Sequence, residues 1–215
     1  MKKRVGHFHV ITDETVQGRF THARLARLAI AGGADLIQLR EKRRSKNELV
    51  AAALEVREVC RAAGVPLIVN DRADIALAIG ADGVHLGRKD LPIAAARRML
   101  GPDVIIGYTA STLEEARQAE RDGADYVGFG HIYPTRSKTK PGTATGTAAL
   151  AEVCRTLNIP VIAIGGIEET NLKPVMDSGA WGVAVIASVC GSRDPQRAAA
   201  ALAEIVRAGK KQAGK

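Results

Sequence analysis

A chain of 215 residues, 46% hydrophobic and 25% charged, has the composition of one folded soluble domain, which excludes intrinsic disorder. Its 31 lysines and arginines against 23 acidic residues leave a net +8, which suits anionic ligands, while 3% aromatic residues and no zinc-finger or other nucleic-acid motif argue against nucleic acid as a partner. Three scattered cysteines, Cys60, Cys154 and Cys190, argue against a disulfide framework or a cysteine-rich zinc site; no apolar run approaches the ~18 residues of a membrane span, and a cytoplasmic protein is expected.

Eight short apolar segments are expected as strands, at residues 7–12, 35–39, 66–70, 83–86, 104–107, 125–128, 160–164 and 182–186. Each is followed by helical periodicity, around residues 21–32, 45–63, 73–80, 92–100, 111–122, 147–157, 170–178 and 194–208. Ser45 with Glu48, and Ser111 with Glu114, have the spacing of a capping box, and Asp194-Pro195 places an N-cap before a proline at the first helical position. A phrase recurs between helix and strand: Gly33-Ala34-Asp35, Gly80-Ala81-Asp82, Gly123-Ala124-Asp125 and Gly179-Ala180-Trp181. Each glycine closes a helix and each phrase opens a strand.

Eight such units of about 27 residues imply parallel pairing and a closed (β/α)8 TIM barrel, one domain over residues 1–215 with a frayed basic tail at about 209–215. A doubly wound open sheet is the architectural alternative, weakened by the lack of a dinucleotide-binding glycine fingerprint in the first unit.

In a barrel the loops after the strands form the active face. After the second strand, alternation expects Gln38, Arg40 and Lys42 on one side, although a merely solvated basic loop fits the same residues. The third strand ends in Asn70-Asp71-Arg72 and the fourth runs from His85 to Asp90. Asp71 and Asp90 together could hold Mg2+, or each could simply cap a following helix, and His85 has the setting of a satisfied core histidine. A long segment after the sixth strand, from Gly130 and His131 through Thr135, Ser137 and Lys138 to Thr143, suits phosphate and a movable cover. Gly165-Gly166 and the stretch from Ile186 through Ala187 to Ser188 follow strands seven and eight, where backbone amides of this fold usually take phosphate. Two anionic sites emerge: a diphosphate among Arg40, Lys42, Lys138 and a metal at Asp71 and Asp90, and a monophosphate on the last two loops.

Five ordered motifs resemble the thiamine phosphate synthase family over nearly the whole chain: Gln38-Leu39-Arg40-Glu41-Lys42, Asn70-Asp71-Arg72, Gly83-Val84-His85-Leu86-Gly87 with Asp90, Pro134-Thr135 with Ser137-Lys138, and Ala163-Ile164-Gly165-Gly166-Ile167. The resemblance implies a transferase that joins a hydroxymethylpyrimidine diphosphate to a thiazole phosphate and releases pyrophosphate. It implies that Gln38 and Asn70 hold the pyrimidine, that Arg40, Lys42 and Lys138 hold the diphosphate, and that Asp71 and Asp90 bind Mg2+. Thr135, Ser137, Gly165 and the backbone of Ile186 and Ala187 would receive the thiazole phosphate. Three positions depart: Thr109 stands where these synthases usually have serine, Ala187 replaces another serine, and His131 replaces a proline. Gly130-His131 resembles the related thiazole tautomerases, in which that histidine is an acid-base candidate and an isomerase activity is implied. A non-catalytic binder of phosphorylated ligands is the remaining alternative, and homo-oligomerisation is left open.

Overall fold

The computed structural model describes residues 3–135 and 144–212. Its elements are β1 (Phe8–Thr12), α1 (His22–Ala31), β2 (Leu36–Leu39), α2 (Lys46–Ala63), β3 (Leu67–Asn70), α3 (Ala73–Ile79), β4 (Gly83–Leu86), α4 (Ile93–Leu100), β5 (Ile105–Ala110), α5 (Leu113–Arg121), β6 (Tyr126–Phe129), α6 (Gly146–Thr156), β7 (Val161–Ile164), α7 (Leu172–Asp177), β8 (Gly182–Val185), α8 (Ala187–Cys190) and α9 (Pro195–Gln212). The eight strands pair in sequence order, β8 pairs with β1, every pairing is parallel, and the sheet closes into the expected (β/α)8 barrel.

The alternation of strand side chains divides the core in two. Ile11, Leu36, Ile68, Ile105, Tyr126 and Ile162 form a buried cluster inside the barrel. Their sequence neighbours, among them Val10, Ile37, Val69, Ile106 and Val127, pack outward with helix residues such as Leu25, Val56 and Ile75. Full burial of an aliphatic side chain contributes about 1.5–3 kcal/mol, so both layers hold the sheet. Glycines shape the interior: a Cβ on Gly107 would lie 2.2 Å from the ring of Tyr126, its register partner on β6.

The recurring glycine-alanine-aspartate phrase has a physical basis. Gly33, Gly80, Gly123 and Gly179 all have positive φ, where a side chain would be strained, and they turn the chain from helix to strand. The aspartates then reach back to the preceding strand. Asp35 accepts from the amides of His7 and Phe8 at 3.0 and 2.7 Å, Asp82 from Leu67 at 2.8 Å, and Asp125 from Ile106 at 2.8 Å. Trp181, in the fourth copy, donates its indole N–H to Val5 O instead.

Two of the expected helix starts hold and one moves. Ser45 and Glu48 form the capping box of α2, and Asp194 Oδ1 accepts from the Arg197 amide at the start of α9. The cap of α5, however, is Thr112, whose hydroxyl accepts from Glu115 N, so the cap lies one residue beyond Ser111. Of the basic tail expected at about 209–215, residues 209–212 continue α9 and 213–215 lie outside the described residues; Lys210 is anchored by a 3.2 Å hydrogen bond to Ala180 O and lies 4.8 Å from the Trp181 ring centroid. The short helix α8, directly after β8, is too brief to show a helical period in the sequence.

Candidate active site

The candidate residues gather at the C-terminal ends of the strands in two groups. On the β1 to β4 side, Gln38 and Asn70 continue the inward-facing rows of Leu36 and Ile68, and both are buried, at 2% and 7% exposure. Gln38 Oε1 has no hydrogen-bond partner among the described residues. A buried amide oxygen left unpaired is costly, so this position suits a ligand that supplies a donor.

Strand β2 ends at Leu39, and the two cations beyond it take different partners: Arg40 pairs with Asp13 after β1, and Lys42 with Asp71 after β3. Asp71 does not cap α3. It holds a left-handed backbone (φ 65°) and its amide donates to His85 O at 2.8 Å. Asp90 does not cap α4 either; its Oδ2 accepts from Gly87 N at 2.7 Å and so closes its own loop. Burial, followed by the neighbouring Asp71 carboxylate, raises the pKa of Asp90, while the Gly87 amide and Lys42 oppose the shift. Two adjacent carboxylates facing a protein ammonium form a hard-oxygen donor set of the kind Mg2+ accepts, with its other positions left to water and phosphate.

On the β5 to β8 side, Thr109, His131, Thr135, Gly165, Ile186 and Ala187 line one pocket, with about 640 Å³ of empty space counting the part open to solvent. The loop after β6 is docked onto the end of β7 by Ile132 N to Ile164 O and Tyr133 N to Gly165 O, both 3.0 Å. That docking explains the glycine pair. A Cβ on Gly165 would fall 2.3 Å from His131 Cβ, and one on Gly166 would fall 2.5 Å from Pro134 O. Ser188 Oγ, on the first turn of α8 and lining the same pocket, is buried and unpartnered among the described residues. Within α8 the amides of Val189 and Cys190 donate to Ile186 O at 3.2 and 2.8 Å, whereas those of Ala187 and Ser188 come too early in the turn for an acceptor in their own helix. Ser137 and Lys138 lie outside the described residues.

A polar chain links the barrel interior to this pocket. Tyr126 Oη lies 2.9 Å from His85 Nδ1, and His85 Nε2 lies 2.8 Å from Thr109 Oγ1. His85 is thus the bonded core histidine that was expected, and it also orients a pocket hydroxyl. Sequence reasoning passed over Tyr126 and Asp13; Asp13 carried a signal, being a polar residue at the end of a strand. It also passed over Glu14, His22 and Glu41, whose potential metal-ligating atoms lie within 4.8 Å of one another. Arg44 approaches both carboxylates, at 2.8 and 3.5 Å, and supplies the compensating charge there. Burial pushes the Glu41 carboxyl up, but the amides of Arg43 and Lys42 and the His22 ring outweigh it and leave the pKa low.

The fold and this face define a barrel of the enzyme type, with reactive side chains gathered at the C-terminal ends of the strands. Residues 8–189 match the family model described as thiamine monophosphate synthase. The chain is 49% identical over 199 residues to a thiamine-phosphate synthase of Salinibacter ruber, covering 93% of this chain and 88% of the relative. It is 50% identical over 198 residues to that of Methanocella arvoryzae, covering 92% and 93%. A solved thiamine phosphate pyrophosphorylase from Pyrococcus furiosus superposes with a TM-score of 0.87 at 37% identity, over 94% of this chain and 96% of that one. The chain belongs to the thiamine monophosphate synthase family. The expectation of a thiamine-phosphate-forming transferase, drawn from five motifs, is borne out.

Proposed function

We propose that this chain joins the exocyclic methylene carbon of a hydroxymethylpyrimidine diphosphate to the ring nitrogen of a thiazole phosphate, in the cytoplasm and with Mg2+. The carbon–oxygen bond to the diphosphate breaks, its electron pair leaves with pyrophosphate, and the thiazole nitrogen lone pair forms the new carbon–nitrogen bond. In this reading Gln38 and Asn70 orient the pyrimidine, and Gln38 Oε1, unpartnered among the described residues, accepts from an N–H substituent on that ring. Arg40, Lys42 and Lys138 receive the diphosphate. Thr135, Ser137, Gly165 and the backbone of Ile186 and Ala187 hold the thiazole phosphate, and Thr109 lines the space between. When bound at Asp71 and Asp90, Mg2+ would neutralise charge on the departing pyrophosphate. Fixed cations aimed at that charge lower the barrier without a protein nucleophile.

The single observation that carries this reading is the convergence of Asp71, Asp90 and Lys42 beside the buried ends of β2 and β3. A thiazole tautomerase, the second reading, has one observation in its favour: His131 lines the same pocket as Ile186 and Ala187. Pyrophosphate release measured with both substrates, each alone, and with chelator separates the two. Release that needs both substrates and Mg2+ supports the transferase; aromatisation of a thiazole phosphate carboxylate without any release would overturn it.

A further inference from the structure

Asp13 lies immediately after β1 and is fully buried, yet nothing in the reaction scheme above uses it. Its Oδ1 accepts from Thr15 N at 2.8 Å and from Thr15 Oγ1 at 2.6 Å, and its Oδ2 forms an ion pair with Arg40 Nη1. The carboxylate is therefore fixed by its own loop on one side and presents the other to the arginine. Arg40 is held twice, since its amide also donates to Thr12 O at 3.1 Å. Its Nε is buried with no partner among the described residues, a donor in want of an acceptor. The residues on either side of Asp13 serve the same loop differently: Thr12 Oγ1 lies 2.9 Å from His22 Nδ1, and Glu14 pairs with Arg44 at 2.8 Å. Of the three consecutive residues, only Asp13 grips a side chain assigned to the diphosphate.

We propose that Asp13 is the positioning residue of the diphosphate site: it sets the rotamer of Arg40 before substrate arrives and does not itself touch substrate. A guanidinium on a flexible stem loses rotamer freedom when it binds, and a buried, preoriented carboxylate removes that loss in advance. The inference rests on the proposed role of Arg40. It also explains why a full negative charge is buried beside a site for anions, where it would otherwise repel the ligand. The charge serves the arginine, and a buried carboxylate persists only when paired in this way.

The test is a double-mutant cycle of Asp13→Asn, Arg40→Gln and the double variant. Asparagine keeps the size of the side chain and an oxygen for Thr15 but loses the charge. Arg40→Gln should lower kcat/KM for the diphosphate substrate by roughly 10²–10³-fold, as for the loss of one preorganised donor, and Asp13→Asn by roughly 10-fold or more. KM for the thiazole phosphate should stay within about twofold in each, because its site is built on other strands. In the Arg40→Gln background Asp13→Asn should cost nothing further. Titration of inorganic pyrophosphate with Mg2+ into the four proteins repeats the cycle without turnover. Folding is controlled by melting: the double variant, relieved of a buried unpaired guanidinium, should be at least as stable as Asp13→Asn while remaining as slow as Arg40→Gln. Equal costs of Asp13→Asn in both backgrounds, a parallel rise in both KM values, or activity that recovers with stability would each overturn the role of Asp13 alone. Wild-type turnover in Arg40→Gln would remove the Arg40 assignment, and the inference with it.

Discussion

Gly107→Ala tests the packing of the barrel interior and its connection to the site. The added methyl would lie 2.2 Å from Tyr126 Cζ, 2.4 Å from Cε1 and 2.5 Å from Oη. Carbon atoms in contact sit about 3.5–4.0 Å apart, so the ring must retreat by at least ~1.3 Å. Tyr126 is fully buried and cannot swing into solvent. A shift of that size breaks the 2.9 Å contact between Tyr126 Oη and His85 Nδ1 and leaves a buried polar pair unsatisfied. Overpacking costs about 1–3 kcal/mol and the lost pair a further 1–3 kcal/mol, giving roughly 2–6 kcal/mol. For a domain of this length each kcal/mol lowers Tm by about 2–4 °C, so a fall on the order of 10 °C is expected. Because His85 also holds Thr109 in the pocket, pyrophosphate release per folded molecule should fall as well. Calorimetry and a release assay on the same preparation measure both effects. Tyr126→Phe, which keeps the ring and loses only the hydroxyl, should cost about 1–3 kcal/mol. A Gly107→Ala protein that melts within ~2 °C of wild type, at unchanged turnover, would refute the reasoning.

Three further outcomes are expected. Asp71→Asn should abolish Mg2+-dependent pyrophosphate release and weaken Mg2+ binding in a titration of the isolated protein; full activity in the variant, or in chelator, would exclude the assignment. His131→Asn should retain most pyrophosphate release, whereas a loss of about 10²–10⁴-fold in a thiazole aromatisation assay would assign His131 acid-base work instead. Burial pushes the pKa of His9 down to about 4 from a usual value near 6.5, despite its 3.0 Å contact with Gly6 O. Between those limits the unfolded chain holds a proton at His9 that the folded chain does not, so stability should fall as pH drops from 6.5 to 4 and then level off. The shift is equivalent to about 3 kcal/mol. Denaturant titrations across that window should show a correspondingly flatter acid limb in His9→Leu; an unchanged slope would count against the burial argument.

The strands were legible because period and punctuation agreed: aliphatic runs such as Leu67–Asn70 sit between a helix-closing glycine and a polar turn. The sequence also pointed to the right end of the barrel, since polar residues that interrupt an apolar strand at its C-terminus have few places to go but the mouth. It could not assign partners. Whether Asp71 caps a helix or meets Lys42 depends on the distance between two loops nearly thirty positions apart, and on a left-handed backbone at a residue that seldom adopts one. The glycine pair at 165 and 166 was legible as a close approach, but the neighbour it accommodates within the protein is the His131 to Pro134 backbone. Asp13 stayed hidden for a related reason: an acidic residue before a short 3-10 turn has the look of an ordinary cap, which it also is.

The aspartate contacts at the N-terminal edge divide the barrel along lines that the closed sheet conceals. Asp35 ties the second strand to the first, Asp82 the fourth to the third, and Asp125 the sixth to the fifth. No copy in the series spans the second and third strands, or the fourth and fifth. Three consecutive strand pairs thus carry an aspartate fastening of their own, the seventh and eighth strands share none of the series, and the seams between the pairs are held by the sheet, the helix layer and single ion pairs such as Lys42 with Asp71 and Arg97 with Asp125. Chain ends moved by circular permutation to the seam between α4 and β5 would leave every fastening local in sequence. Ends placed within α5 would set Ile106 and Asp125 at opposite extremes of the chain, and the same contact would then have to be closed across the whole molecule.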